Sequence, residues 1–319
     1  WGEPKFVLVM LFSIIANYAF GLLADFSHKK KNILIGRLSI ILTAVFNLSL
    51  LGFFKYLDFT INNLNFVFGT QISLQNIALP IGISFFTFQA MSYVFDVYLK
   101  RGSVQKNPLN IVLYISFFPQ LIAGPIVRYE TISKQIMDRK ENLALFSSGI
   151  TRFIEGLAKK VLLANPLAII ADKAFGFNNY TELPASFAIL GILAYTLQIF
   201  YDFSGYSDMA IGLGQMFGFQ FFENFNYPYM ANSVSEFWRR WHISLGSWFR
   251  DYIYFPLGGS RVENKFRLML NLFIVWLLTG IWHGASWNFV AWGLMYFLLI
   301  AFEKLSGLPP KLKKSLSKI

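Results

Sequence analysis

Apolar runs long enough to cross a bilayer recur along this chain, separated by short polar breaks. A spanning helix needs about 20 mostly apolar residues. Residues 6–24, 33–57, 77–99, 109–127, 184–206 and 268–289 meet that length. Residues 290–302 form a further apolar run, too short to span alone. Arg37 sits near one end of the second run, where its stem lets the charge reach the interface. Asp96 closes the third, and Asp202 and Ser204 fall in the last turns of the fifth. The fourth is broken by Gly124-Pro125.

Two segments have a different pattern. Residues 146–171 place Arg152, Glu155, Lys159 and Lys160 among apolar residues at three- and four-residue spacing. That predicts an amphipathic helix lying on the membrane or lining a wet cavity. Residues 223–267 mix Trp, Tyr and Phe with Arg and Asp and break at Pro228, Pro256 and Gly258-Gly259. Too polar to span and too aromatic for an ordinary loop, they predict several short helices buried at the interface.

Loop charge orients the spans. Lys29, Lys30 and Lys31 mark the first loop, residues 58–76 have no Lys or Arg, and Lys100, Arg101 and Lys106 mark the third. Positive loops stay cytoplasmic, so the first and third do. The next loop should be external, yet it carries Arg128, Lys134, Arg139 and Lys140. A re-entrant or discontinuous helix over 109–127 resolves the conflict, and loose backbone is tolerated there only under protein or water.

Composition supports the same picture. Hydrophobic residues make up 55% of the 319 and charged residues 14%, where a soluble domain carries about 25%. Mean hydropathy is +0.48. A soluble core could not hide that surface. Aromatics reach 18%, as expected of many interface crossings. The net charge of +11 comes from Lys and Arg scattered in short loops, which argues topology rather than nucleic-acid binding. Some attraction to anionic headgroups or an anionic substrate adds to it. With no cysteine, disulfides, a Cys acyl-enzyme and Cys metal sites are excluded. The expected class is all-α: one multi-pass membrane domain over 1–319, with both ends reading as cuts in a longer protein.

Chemistry narrows to histidine. His28 lies in the basic loop and reads as solvated. His242 and His283 lie in aromatic surroundings, His283 deep in an apolar stretch. A charged side chain at the bilayer centre costs about 2.5 kcal/mol or more, so a neutral imidazole is expected, and a neutral imidazole accepts a proton as a general base does. Packing between helices is the plainer alternative, and Gly280, Gly284 and Ala285 suit it. The histidines show no metal-binding spacing, and no metal is expected. Gly212-Leu-Gly-Gln-Met-Phe-Gly lacks a βαβ context for a nucleotide loop. Gly205-Tyr-Ser-Asp-Met lacks the final glycine of a nucleophile elbow.

The run Glu236-Phe-Trp-Arg-Arg-Trp-His-Ile-Ser, then Trp248-Phe-Arg-Asp-Tyr-Ile-Tyr-Phe-Pro-Leu-Gly-Gly-Ser, then Gly280-Ile-Trp-His-Gly resembles the membrane-bound O-acyltransferase family. So do Ser116-Phe-Phe-Pro-Gln-Leu-Ile-Ala-Gly-Pro-Ile-Val-Arg-Tyr and Tyr201-Asp-Phe-Ser-Gly-Tyr-Ser-Asp-Met-Ala-Ile-Gly. The similarity is greatest to the bacterial branch that acetylates alginate and peptidoglycan, and it runs from about the second span to the end.

The resemblance implies a bundle of helices with re-entrant and interfacial elements around a funnel. It implies His283 as the catalytic residue and His242 as its companion. It also implies transfer of an acyl group, most simply acetyl, from acetyl-CoA or another cytoplasmic thioester to a hydroxyl. The setting implied is the bacterial cytoplasmic membrane. Implied partners are lipids, an extracellular acetyltransferase and a polysaccharide acceptor. The family's usual C-terminal spans are expected beyond this chain. Candidate contacts to substrate are Trp238, Arg239, Arg240, Trp282 and Asn288, with Ser286 beside them as a possible oxyanion donor. Arg239 and Arg240 can meet donor phosphates or simply anchor the positive side. Asp251 either orients His242 or pairs locally. Three rivals remain: transfer of D-alanine to teichoic acid from a carrier-protein thioester, a transporter or channel without chemistry, and, less similar, a lipid or sterol acyltransferase.

Overall fold

The computed structural model describes residues 4–122, 124–177 and 183–307, and every regular element among them is helical. Helix α1 (Pro4–Lys29) turns through residues 30–32 into α2 (Ile33–Leu51). Asn32 caps the new helix by accepting from the Leu34 and Ile35 amides. Inside the pair, buried Asn17 and Asn47 exchange side-chain hydrogen bonds of 3.2 and 2.8 Å. Each satisfies the other where lipid offers no partner.

The second span is longer than its apolar run. Helix α2 passes through a π-turn, Gly52–Tyr56, into α3 (Leu57–Phe68), making one 36-residue helix. Residues 69–82 return without regular structure. Asp58 accepts from the Gln75 and Asn76 amides at 2.8 and 2.9 Å, and Asn65 from the Ile72 amide at 2.9 Å. Side chains thus do there what a backbone ladder does elsewhere.

The third predicted span is corrected. The helix begins only after Pro80, as α4 (Ile83–Tyr98), and nearly all of it except Ser84, Phe85, Phe95 and Tyr98 is buried. Its apolar character serves protein packing on all sides, not lipid contact.

The fourth run is re-entrant, as the charge conflict predicts. Helix α5 (Pro108–Ser116) breaks at Phe117, whose backbone is extended (ψ 107°), before a single turn, α6 (Phe118–Leu121). The break therefore precedes Gly124-Pro125. The chain then returns to the side it left. The Glu130 amide donates to Asp96 Oδ2 at 2.8 Å, and the Tyr129 hydroxyl donates to the Ser103 carbonyl at 2.5 Å. Two short turns follow, α7 (Tyr129–Ile132) and α8 (Gln135–Asp138). The basic loops around residues 100–107 and 128–142 thus share one face.

The amphipathic segment packs on a neighbouring helix, and Arg152 and Lys159 lie in the wall of a pocket with Ser204, Ser207 and Asp208. Helix α9 (Leu143–Ala158), a π-turn (Lys159–Ala164) and α10 (Asn165–Phe175) form one rod lying antiparallel along α11 (Ala185–Met216). Its basic residues meet acidic partners: Arg152 pairs with Asp208 of α11 and with Glu223 beyond that helix at 2.6 Å each, Lys159 with Asp208 at 2.5 Å and Lys160 with Asp202 at 2.6 Å. Charge at three- and four-residue spacing looks the same whether it meets headgroups or a partner helix.

Glycines let the two rods touch. A Cβ on Gly156 would sit 2.5 Å from the Gly205 carbonyl oxygen, and one on Gly212 equally close to that of Gly149. Gly156→Leu is expected to separate the helices, at a cost of about 3 kcal/mol or somewhat more. Thermal unfolding in detergent should show a lowered midpoint, and a wild-type midpoint would refute the close packing.

The aromatic segment forms a chain of short pieces, as predicted. A 3₁₀ turn (Pro228–Met230) leads to α12 (Val234–Arg240), α13 (Ile243–Phe249) and a π-turn (Arg250–Tyr254). The last apolar stretch divides differently from its pattern. Helix α14 (Lys265–His283) stops before Gly284, and Ser286 caps α15 (Trp287–Ser306). The run beginning at 290, too short to span by pattern, is therefore part of a 20-residue helix.

Among the described residues, five helices are long and apolar enough to cross a membrane: Lys5–Lys29, Ile33–Phe68, Ala185–Met216, Lys265–His283 and Trp287–Ser306. Large apolar side chains such as Leu8, Ile41, Ile189 and Leu298 are more than half exposed on them, which is the surface a bilayer covers. The chain is a multi-pass helical membrane protein.

Candidate active site

Three elements bring the two candidate histidines together. His283 closes α14, and His242 sits at the junction of α12 and α13. The Trp282 ring lies between them, with ring centroids 5.1 Å from His283 and 6.4 Å from His242. Phe88 of α4 stacks on the other side of Trp282 at 5.5 Å. The buried helix α4 is thus the wall against which the pair is built.

The hydrogen bonds assign a tautomer to each ring. His283 Nδ1 lies 2.7 Å from the Thr279 carbonyl oxygen. A carbonyl only accepts, so Nδ1 carries the proton and Nε2 the lone pair. Trp292, with its ring centroid 4.7 Å away, and Phe289, stacked at 6.4 Å, limit how the ring can turn.

His242 is held from the other side. Asn224 Oδ1 accepts from the Ser244 amide at 3.1 Å and from the Ser244 hydroxyl at 2.9 Å. Those bonds fix which end of the amide is the oxygen, and His242 Nδ1–H donates to the same atom at 3.3 Å. Its Nε2 is again the lone-pair nitrogen. His242 is 4% exposed. Burial, with the neighbouring His283 second, pushes its pKa down to about 3, so it stays neutral throughout the physiological range. Its φ of +45° is left-handed, a conformation that costs a non-glycine residue about 1–2 kcal/mol. The Asn224 and Ser244 bonds hold it there, and strain of this sort gathers at functional sites.

A cavity of about 400 Å³ opens beside His242, and His283 and Trp282 are not among the residues that line it. His242 and Thr279 lie in its wall with Trp238, Trp241 and Trp276, and the cations Arg239, Arg250 and Lys304 also line it. Two indole N–H groups, Trp238 Nε1 and Trp282 Nε1, are buried without a hydrogen-bond partner. Buried donors left unpaired are rare and mark places where another molecule can bind.

The other sequence candidates are placed apart. Arg240 is held by Glu236 at 2.8 Å and by the Asn226 carbonyl at 3.2 Å, and is not in the cavity wall. Asn288 is exposed in the first turn of α15. The Ser286 hydroxyl caps that helix by accepting from the Asn288 amide.

Asp251 pairs locally. It makes a close ion pair with Arg128 and another with Arg250 at 2.8 Å, while Asn224 and Ser244 do the orienting of His242. Arg128 and Asp251 are only 14% and 11% exposed. Asp251→Ala leaves Arg128 with Glu130, at 3.0 Å, as its remaining acidic partner and is expected to cost about 1–3 kcal/mol of stability. Rate per folded molecule should stay near wild type, and a specific loss of rate in fully folded protein would give Asp251 a role in the chemistry.

Sequence reasoning missed several residues. Lys55 donates to the Trp282 carbonyl and, at 3.3 Å, to Ser84 Oγ, and the Tyr56 hydroxyl donates to the Ile281 carbonyl. A lone lysine inside an apolar run was the available signal. Asn224 and Thr279 gave none, because their role depends on long-range folding or on a backbone carbonyl.

Fold and site together define a multi-pass membrane protein with a buried His242, a part-buried His283 close to it, and an aromatic, cation-lined cavity against His242. The profile of MBOAT, the membrane-bound O-acyltransferase family, matches residues 85–308, and the chain belongs to that family. It is 43% identical over 311 residues to the probable alginate O-acetylase AlgI of Pseudomonas aeruginosa, covering 96% of this chain and 59% of that protein. It is 38% identical over 327 residues to the peptidoglycan O-acetyltransferase of Helicobacter pylori, covering 94% and 61%. Against the teichoic acid D-alanyltransferase of Bacillus subtilis the identity is 30% over 252 residues, covering 72% and 61%. The chain thus spans at most 61% of the length of these relatives.

Proposed function

We propose that this protein transfers an acetyl group from a cytoplasmic thioester, acetyl-CoA or a comparable donor, to a hydroxyl for O-acetylation of an extracellular polysaccharide. The observation that carries the proposal is His283, its Nδ1 proton committed to Thr279 and its Nε2 lone pair therefore free to take a proton. Nε2 takes the proton of the acceptor hydroxyl, and the oxygen attacks the thioester carbonyl. In this mechanism the Trp282 Nε1–H, buried without a hydrogen-bond partner, donates to the oxyanion that forms. The intermediate collapses, the C–S bond breaks, and the thiolate recovers the proton from His283. Neutral His242 accepts a hydrogen bond through Nε2 and so orients one of the two substrates.

The cavity suits the donor arm. Arg239, Arg250 and Lys304 match the phosphates of a thioester carrier, and the Trp walls suit its apolar stem. The positive-inside pattern of the basic loops supports the bacterial cytoplasmic membrane as the proposed location. An extracellular acetyltransferase is the proposed downstream partner. Acetyl is preferred to D-alanyl because identity to the two O-acetylating relatives is 43% and 38%, against 30% for the D-alanyltransferase. Membranes holding the full-length protein should move label from radiolabelled acetyl-CoA into envelope polysaccharide. Label that crosses the membrane without forming an ester would indicate a transporter instead.

A further inference from the structure

Helix α14 ends at the residue that the proposed chemistry depends on, and a helix end leaves carbonyls without partners. Here another helix supplies them. The π-turn Gly52–Tyr56 carries Lys55 and Tyr56 to the last turn of α14. The Tyr56 hydroxyl takes the Ile281 carbonyl, and the Lys55 ammonium takes those of Trp282 and, at 3.5 Å, His283. Its third partner is Ser84 Oγ at 3.3 Å, beside the N-terminus of α4. The same ammonium lies 5.6 Å from the centroid of the Trp282 ring, close enough for a cation–π contact.

A lysine inside a membrane span marks function rather than packing by default. An ammonium has three hydrogens, and all three are engaged here. Lys55 therefore has none left for an oxyanion, and it acts on the backbone beneath Trp282 and His283. A cation also suits a helix C-terminus, where the peptide dipoles place negative charge. The π-turn explains the geometry, since such turns re-aim side chains and recur at functional sites.

We infer that Lys55, seconded by Tyr56, is the positioning residue for the His283–Trp282 pair, fixing the end of α14 so that His283 Nε2 and Trp282 Nε1 face the reacting groups. The inference rests on the proposed acetyl transfer for its kinetic readout, and has a second readout that does not.

The test uses the full-length protein in membranes with radiolabelled acetyl-CoA. Lys55→Met keeps the stem and removes the ammonium. It is expected to lower kcat roughly 10- to 100-fold, as a displacement of about 1 Å does, with KM for acetyl-CoA little changed. Lys55→Arg, which keeps the charge and the donors, is expected to restore most of the rate. A wild-type kcat in Lys55→Met, or a raised KM with kcat intact, overturns the inference. Where Lys55→Met fails to accumulate, Tyr56→Phe decides. Its kcat falls roughly 3- to 10-fold if the tether matters, and an unchanged kcat overturns the inference.

The second readout is carbethoxylation of His283 by diethyl pyrocarbonate, followed by mass spectrometry. Freed from its tether, His283 should react faster in Lys55→Met than in wild type, and equal rates count against positioning. Should wild-type membranes transfer no acetyl, the proposed function falls while this comparison still decides the role of Lys55.

Discussion

Replacing His283 with alanine is expected to lower acetyl transfer by roughly 10²- to 10⁴-fold, the range supplied by a positioned general base, while the full-length protein still accumulates. Accumulation is expected because, among the described residues, the side chain's hydrogen bond is to Thr279 within its own helix. Its loss leaves behind a carbonyl with an intrahelical alternative, not an unpaired buried charge. The helix end is secured independently, by Lys55 and Tyr56 on the backbone carbonyls. His283→Gln tests the base more narrowly. A glutamine retains a hydrogen-bonding side chain but has no basic nitrogen, so it should be as inactive as alanine. Transfer of labelled acetyl to polysaccharide, normalised to protein in the membrane, is the measurement. Full activity in both variants would make His283 a packing residue and remove the proposed mechanism.

The site was legible in the sequence where its signal was local. His283 could be singled out because a titratable group deep in an apolar run is costly, and His242 because aromatic and basic residues crowd around it. The re-entrant segment could be read from a charge conflict, since basic loops at 100–107 and 128–142 cannot lie on opposite faces without breaking the positive-inside pattern. What pattern could not show was which partner an apolar or charged face meets. Helix α4 reads as a span, yet protein covers it on nearly every side. Arg152 and Lys159 read equally as facing headgroups or a wet cavity, and the pattern could not name Asp208 as their partner. The stop at His283 was hidden because Gly284, Ala285 and Ser286 are small enough to continue a hydropathy run while ending a helix. Asn224 had no signal at all, since its contact with His242 and Ser244 depends on a turn 18–20 residues away in sequence.

That contact gives the second large effect. His242→Ala is expected to lower transfer roughly 10- to 10²-fold through loss of substrate alignment, and Asn224→Leu should reproduce much of the loss without touching a histidine. The sharper test is Asn224→Asp. In the wild type His242 has a pKa of about 3, set first by burial, so its Nε2 keeps the lone pair at every pH at which the membrane is intact. Activity should therefore have no His242-dependent fall on the acid side. An aspartate at 224 puts a negative charge against Nδ1–H, and an opposing charge at hydrogen-bond distance favours the imidazolium by about 1–3 pH units. The sign is fixed: a raised pKa means that His242 gains a proton as pH falls through about 4–6. Nε2 then changes from acceptor to donor and transfer drops on the acid side, while the rate near pH 8 recovers towards wild type. Rates in proteoliposomes from pH 4.5 to 8 decide it. A flat profile in Asn224→Asp, matching wild type, would show that the state of His242 Nε2 does not matter to transfer, and its left-handed backbone and buried hydrogen bonds would then serve the fold alone.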